Sequence, residues 1–352
     1  MQRSPCASGC RSRCLVGSGR PTIRDVAARA GVSKSLVSLA LQDSPRVAAS
    51  TREVIRQAAD DLGYRPNANA RSLGASRSRT IGVFVLDLHN PIYADMLDGV
   101  QAEARRNDYR TIVVLGGQDR RAERAELEKL MEFRVEGLIA LGHRLPLGAH
   151  DAISQACPAV LVGAEPRSQP HVTSVSTDDL NGAALAVDHL ADLGHERIVH
   201  VTGGSSGVAH KRERGYVSAM VRRNLKHRVR CVVGGFTDDD GYRGTMEALR
   251  SRSRPTALFV ANDFAAMGAL AAASDSGLSV PGDLSIVGFD GARLTGLRFI
   301  DLTTVAQPLQ EMGAIAASRL CAALESEDEQ PPRRIHVAPQ LVVRNSTAPP
   351  RS

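Results

Sequence analysis

The chain has 352 residues, 43% hydrophobic and 23% charged, which excludes wholesale disorder and is too long for a single ordinary core. No apolar run approaches the roughly 18 residues of a membrane span. The charge is unevenly divided: residues 1–80 hold 14 Lys and Arg against 5 Asp and Glu, a net of +9, and the other 272 hold 30 against 33, so a polyanion-binding head on a mildly acidic body is expected.

Residues 1–20, rich in Ser, Arg and Gly without apolar periodicity, read as a disordered extension. No apolar core of a secretory signal follows the arginines. Cys6, Cys10 and Cys14 lack a fourth nearby Cys or His, so they are a poor metal site. Cys157, Cys231 and Cys321 sit in apolar segments as small core residues. With neither a signal nor a cysteine framework, a reducing cytoplasm is expected.

Residues 21–65 predict three helices. Thr22-Ile-Arg-Asp25 is a capping-box-like start for a short helix with Ile23, Val26, Ala27 and Ala30 on one face. Gly31-Val32 breaks it, and Ser33 caps a second helix running to Leu41, with Leu36, Val37, Ala40 and Leu41 inward. Helix, Gly-containing turn and capped helix make a helix-turn-helix, whose second helix enters the major groove. Ser50-Thr-Arg-Glu53 predicts a capping box for a third helix with Val54, Ile55, Ala58, Ala59 and Leu62 as its apolar stripe. A plain bundle with a solvated basic face explains neither the exposed Lys34, Ser35 and Ser38 nor the charge.

Residues 66–79 read as a hinge or linker, too short for a stable helix alone. From Ile81 short apolar runs (81–86, 111–115, 136–141, 159–162, 197–202, 257–261, 284–289) alternate with helical stretches (92–107, 121–133, 179–193, 211–224, 239–250, 264–276, 309–325). That alternation predicts parallel sheets covered on both faces, and residues 80–346 are enough for two α/β lobes with a cleft at their strand ends. Residues 347–352 read as a tail, and no heptad follows the last strand.

Enzymatic readings fare poorly. Gly203-Gly-Ser205-Ser-Gly207 fits the nucleophile-elbow pattern, and Asp290 and His336 follow Ser205 in hydrolase order. No oxyanion segment precedes it, however, and the same glycines fail the dinucleotide fingerprint. Asp238-Asp-Asp240 reads as helix capping rather than a metal site. No cofactor is implied. A stand-alone sugar-binding protein would lack a use for the basic head.

The segment with Asp25-Val-Ala, Ala30-Gly-Val-Ser33, Val37-Ser38 and Leu62-Gly-Tyr-Arg-Pro-Asn67 resembles the DNA-binding head of the LacI/GalR family of bacterial repressors. The resemblance implies that Lys34, Ser35 and Ser38 face bases, and that Thr22, Arg24, Ser33, Arg46 and Thr51 meet phosphates or groove edges. Leu39 stands where the family usually has a guanine-reading Arg, and Leu36 where it usually has Thr. A Leu cannot make the bidentate contact, so a thymine methyl opposite Leu39 is expected. Pro66 to Leu73 is similar to the family's hinge helix, which implies DNA contacts from Asn67, close packing at Ala70 and a minor-groove wedge at Leu73.

The body carries the same resemblance through Asn90-Pro-Ile-Tyr93, Asp178-Asp-Leu-Asn-Gly182, Arg212-Glu-Arg-Gly215-Tyr216, Asn262-Asp263, Val280 to Asp290 and Thr304-Val-Ala-Gln307. It implies a periplasmic-binding-protein-like core with three crossovers. Lobe 1 would hold about 80–177 and 309–336, and lobe 2 about 178–308 and 337–346. Arg212, Asn262, Asp290 and Tyr93 would line an effector cleft, with Asp87, Glu165 and Gln307 as second-tier choices. Leu86 replaces a ligand-contacting Ser of some members, so a lactose-like pocket is not implied. The expected protein is a cytoplasmic homodimeric regulator that binds double-stranded operator DNA and a sugar-like effector.

Overall fold

The computed structural model describes residues 21–65, 77–116, 120–142, 157–163, 172–326 and 333–351. The expectations for residues 1–20, for Asn67, Ala70 and Leu73, and for Glu165 lie outside the described residues. The chain divides into two units, Met1–Arg77 and Ser78–Ser352.

In the first unit, helices α1 (Ile23–Ala30), α2 (Lys34–Leu41) and α3 (Ala49–Asp61) enclose Val26, Val37, Ala40, Val47, Ile55, Ala58 and Ala59. The Asp25 carboxylate accepts from the Thr22 N–H and hydroxyl at 2.7 Å each, which anchors the start of α1 and holds the Asp25 carboxyl below its ordinary range. Gly31 ends α1 in the left-handed region (φ 66°), where a Cβ is disfavoured. The third helix departs from expectation. It starts at Ala49, before the Ser50–Glu53 box, and no side chain caps it. Arg52 instead reaches back to the carbonyls of Ser44 (2.9 Å) and Val47 (3.1 Å), tying the preceding loop to the first turn. Val54 also leaves the expected stripe and is 55% exposed.

The second unit is two sheets. In lobe 1, β1 (Thr80–Val85), β2 (Arg110–Leu115), β3 (Gly137–Leu141), β4 (Ala159–Val162), β5 (Thr173–Thr177) and β11 (Arg334–Val337) run parallel in the order β11-β5-β4-β3-β1-β2. One face is covered by α4 (Ile92–Arg106) and α10 (Leu309–Glu325), the other by α5 (Arg120–Glu132). In lobe 2, β6 (Ile198–Thr202), β7 (Cys231–Val233), β8 (Ala257–Val260), β9 (Ser285–Asp290), β10 (Thr303–Ala306) and β12 (Gln340–Val342) order as β12-β10-β9-β8-β6-β7. Only the β10–β12 pairing is antiparallel. Helices α6 (Asp179–Asp192) and α7 (Gly207–Arg222) pack on one side, α8 (Asp238–Leu249) and α9 (Asp263–Asp275) on the other. The chain crosses between lobes three times: after β5, after β10 and after β11. The strand runs hold because both faces are covered, so every β6, β8 and β9 residue is buried.

The expected tail is different. Ser346 is buried, donating to the Ile286 carbonyl at 2.6 Å and accepting from the Thr303 N–H at 2.8 Å. His195 Nε2 donates to the Ala348 carbonyl at 2.9 Å, and Arg351 pairs with Asp283 at 2.5 Å. Residues 346–351 therefore dock on lobe 2, because they satisfy backbone groups beside β9 that would otherwise be buried unpaired.

At the centre of β6, His200 is fully buried, stacks on Phe259 (4.6 Å, 14°) and donates through Nδ1 to the Phe259 carbonyl at 2.9 Å. Burial, aided by the charge of Arg212, pushes its pKa down to about 4. An unfolded chain takes up this proton near the ordinary value of 6.5 while the folded one refuses it until about 4. Stability from this group is thus complete above about 6.5 and lost as pH falls through about 4, by about 3 kcal/mol. His200→Phe is expected to flatten the acid limb of the thermal midpoint against pH. An unchanged limb in the variant would assign the acid sensitivity elsewhere.

Candidate DNA-binding head and effector site

On the head, Ser33 caps α2, its hydroxyl accepting from the Leu36 N–H at 3.2 Å. Lys34 and Ser35 are exposed in the first turn. Ser38 and Leu39 follow half-buried; Ser38 accepts from Gln42 Nε2 at 3.4 Å, and Leu39 leans on the apolar core of the head. Thr22, Arg24 and Arg46 are exposed, and Thr51 is half-buried in the first turn of α3. The head's cations fall into two sets. Arg29 pairs with Asp61 (3.2 Å), while Arg52 and Arg56 pair with Asp43 (3.7 and 2.5 Å). Among the described residues Arg24, Lys34, Arg46 and Arg65 have no carboxylate partner, so their charge is open to a polyanion.

In the second unit, Asn262 lies two residues past the end of β8, Asp290 ends β9 and Gln307 follows β10, all at the carboxyl ends of lobe 2 strands. Arg212 comes from α7. It donates from Nε to Asp179 (2.9 Å) and from Nη1 to the Ala261 carbonyl (2.5 Å), lies 3.3 Å from Asp290, and stacks 3.6 Å over Phe289. Gln307 Nε2 donates to Asp290 at 2.7 Å and its carbonyl accepts from the Thr177 hydroxyl at the end of β5. Asp263 accepts from the Thr304 hydroxyl at 2.6 Å and the Ala292 N–H at 2.8 Å. All three carboxylates and the guanidinium are buried.

Burial pushes the Asp290 carboxyl up to about 6 against the pull of Arg212 and Gln307, with Asp179 adding to the rise. Burial and then the charge of Asp290 raise Asp263 well above the carboxylate range, against hydrogen bonds from Thr304 and the Ala292 and Gly291 N–H groups. Such an array offers fixed donors and acceptors to a polar ligand.

The sequence-predicted residues divide accordingly. Arg212, Asp290 and Gln307 come together. Asn262 caps α9: its Oδ1 accepts from the Ala265 N–H at 2.9 Å and its Nδ2 donates to the Phe236 carbonyl at 3.2 Å. In lobe 1, Tyr93 sits against Gly142 (φ 68°). Asp87 accepts from the N–H and ring of His89 at 2.9 Å each. Sequence reasoning missed Asp179, Asp263 and Thr177; the doublets Asp178-Asp179 and Asn262-Asp263 were the available signal. The hydrolase trio is not wired. Asp290 is held by Arg212 and Gln307, Ser205 is exposed after β6, and His336 sits on β11 within 3.3 Å of Ser176. An open groove of 780 Å³ between α6 and α7, lined by Leu180, Ala184, His210, Arg214 and Val217, contains none of the predicted effector residues. Among the described residues no His, Cys, Asp or Glu cluster fits a metal, and no helix is long and apolar enough to cross a membrane.

Comparison with known proteins bears on both units. The sequence profile of the bacterial regulatory proteins of the lacI family matches residues 22–67, and that of the periplasmic binding protein-like domain matches 187–347. Catabolite control protein A of Priestia megaterium is 33% identical over 309 residues, covering 87% of this chain and 93% of that one. The chain belongs to the LacI family. It is a DNA-binding transcriptional repressor with a ligand-binding domain. The repressor CytR of Escherichia coli is 31% identical over 93% of this chain and 96% of its own. The structure of the lac repressor dimer bound to operator and the anti-inducer ONPF superposes with a TM-score of 0.81 at 29% identity, covering 94% of this chain and all of that one.

Proposed function

We propose that this LacI-family chain acts as a homodimer on a near-palindromic operator and is controlled by a polar, sugar-like effector. The observation that carries the reading is the division of cations on the head: three arginines are paired internally, while Arg24, Lys34, Arg46 and Arg65 are exposed and have no carboxylate partner among the described residues. In this reading Lys34, Ser35 and Ser38 face bases, and Thr22, Arg24, Ser33, Arg46 and Thr51 meet the backbone. In the same reading Asn67, Ala70 and Leu73, which lie outside the described residues, belong to the segment that meets the minor groove. Arg212, Asp290 and Gln307 contact the effector, Asn262, Tyr93, Asp87 and Glu165 are further candidate contacts, and the regulator works in the cytoplasm without a cofactor or catalytic step. The operator-bound lac repressor dimer, and a regulator CelR solved with cellobiose at a TM-score of 0.69, support the partners proposed.

The test is a gel shift on the DNA upstream of the chain's own gene, repeated with sugars and nucleosides. A specific, salt-sensitive shift that one of these compounds alters is expected; no specific shift at any palindrome would overturn the reading. Operator selection addresses Leu39. Wild type is expected to select thymine opposite this position and Leu39→Arg to select guanine, a discrimination of about 1–3 kcal/mol. Recovery of guanine by both proteins would remove Leu39 from base readout.

A further inference from the structure

The chain leaves β9 through two residues in the left-handed region, Asp290 (φ 114°) and Gly291 (φ 75°). For Asp290 this is a strained backbone, tolerated only because its surroundings hold it. The next residues do not stay in lobe 2. Ala292 is buried in the apolar cluster of lobe 1 with Ile92, Met96 and Leu309, and Leu294 packs against the same cluster. Between them Arg293 reaches α4, with Nε 2.7 Å from Asp95 and Nη2 3.4 Å from Asp98. Asp95 is buried in the first turn of α4. The Ala292 N–H is also bonded to Asp263, which belongs to the buried charge network. One short segment thus joins the carboxylate predicted to meet effector to a helix of the other lobe.

We propose that Arg293 is a positioning residue that anchors the Asp290–Gly291 turn to α4, so that a change at Asp290 is transmitted to lobe 1. This rests on the reading of Asp290 as an effector contact. The physical route is short. Asp290 is held by Arg212 and Gln307, and Gln307 is held in turn by Thr177 of lobe 1. Any ligand competing for Asp290 disturbs the strained turn, and the Arg293 ion pair with the sheltered Asp95 makes α4 follow it. Coupling of this kind requires differential contacts in two states, which the two-lobe attachment supplies.

The test is amide hydrogen exchange on the full-length protein. Arg293→Glu is expected to speed exchange over residues 92–98 by about fivefold, the upper range of an exposed ion pair. Arg293→Lys should stay near wild type, and Arg293→Gln, which removes charge without repulsion, should show a smaller rise in the same place. Arg298→Glu makes the same charge change at an exposed site five residues on and should leave residues 92–98 unaltered. Asp290→Asn should speed exchange over residues 92–98 while β3 and β8 stay protected. The proposal is overturned if Arg293→Glu and Arg293→Gln leave residues 92–98 unchanged, if Arg298→Glu acts equally, or if Asp290→Asn has no effect there. A gel shift that none of the sugars or nucleosides alters would overturn the effector reading without touching these exchange rates, so the two failures are distinguishable.

Discussion

Arg212→Met is expected to destabilise the second unit by about 3–5 kcal/mol, because it leaves buried carboxylates without their cation. Nothing else in the described network is positively charged: Asp179 and Asp290 face Arg212, and Asp263 faces Asp290. The stacking of the guanidinium on Phe289 is lost as well. In thermal terms the midpoint should fall by about 10 °C. The pH dependence carries the sign. Asp290 titrates near 6 in the folded chain, above the ordinary carboxylate value, so the folded state binds its proton more tightly than the unfolded one. Its contribution therefore improves as pH falls through about 6 and worsens as pH rises. Without Arg212, whose charge now lowers that pKa, the slope should steepen. The variant's deficit should be greatest near neutral pH and shrink toward about pH 5. Calorimetry of both proteins across that window decides it: a deficit independent of pH would mean that lost packing, not stranded charge, explains the cost.

Gly268→Val is expected to cost about 3 kcal/mol or more and Gly241→Val a similar amount. These glycines lie where α8 and α9 cross. A Cβ at Gly268 would overlap the Asp238 carbonyl oxygen, and one at Gly241 would overlap the Ala265 carbonyl oxygen. Both obstacles are backbone, so neither can swing aside. Separating the helices would strip contacts from Ala248, Ala265 and Ala269. Chemical denaturation of each variant measures the loss, and one within about 0.5 kcal/mol of wild type would show that the helix pair can separate freely.

Some of this was visible in the chain alone. Thr22 with Asp25 and Ser33 with Leu36 mark helix starts because capping is local, set within one turn. The same reasoning fails at Ser50, where Arg52 bonds to Ser44 and Val47 and the helix begins two residues before the start that a Ser50 cap would set. Strands β1, β3, β6, β8 and β9 are legible as apolar runs because both their faces are covered. The strands β5, β10, β11 and β12 escaped because Thr, Ser, Gln and Arg dilute their pattern, although each completes a sheet near a crossover. Arg212, Asp290 and Gln307 entered through their resemblance to a family. Their mutual geometry, and the membership of Asp179 and Asp263, did not.

The sequence by itself determined the kind of protein: a basic helix-turn-helix head, an α/β body of two lobes and the residues that place the chain among LacI-family regulators. The head and the two-lobed body are properties of local periodicity, capping and charge balance, which residues a few positions apart decide; the family came from the resemblance of motifs such as Asp25-Val-Ala and Leu62 to Asn67. Only the tertiary structure decided which head cations are neutralised, that Asn262 serves as a helix cap, that residues 346–351 dock on lobe 2, and that Ala292 and Arg293 belong physically to lobe 1. Each depends on residues distant in sequence meeting in a low-dielectric interior or across a crossover. There, the strength of a charge or hydrogen bond is set by what surrounds it.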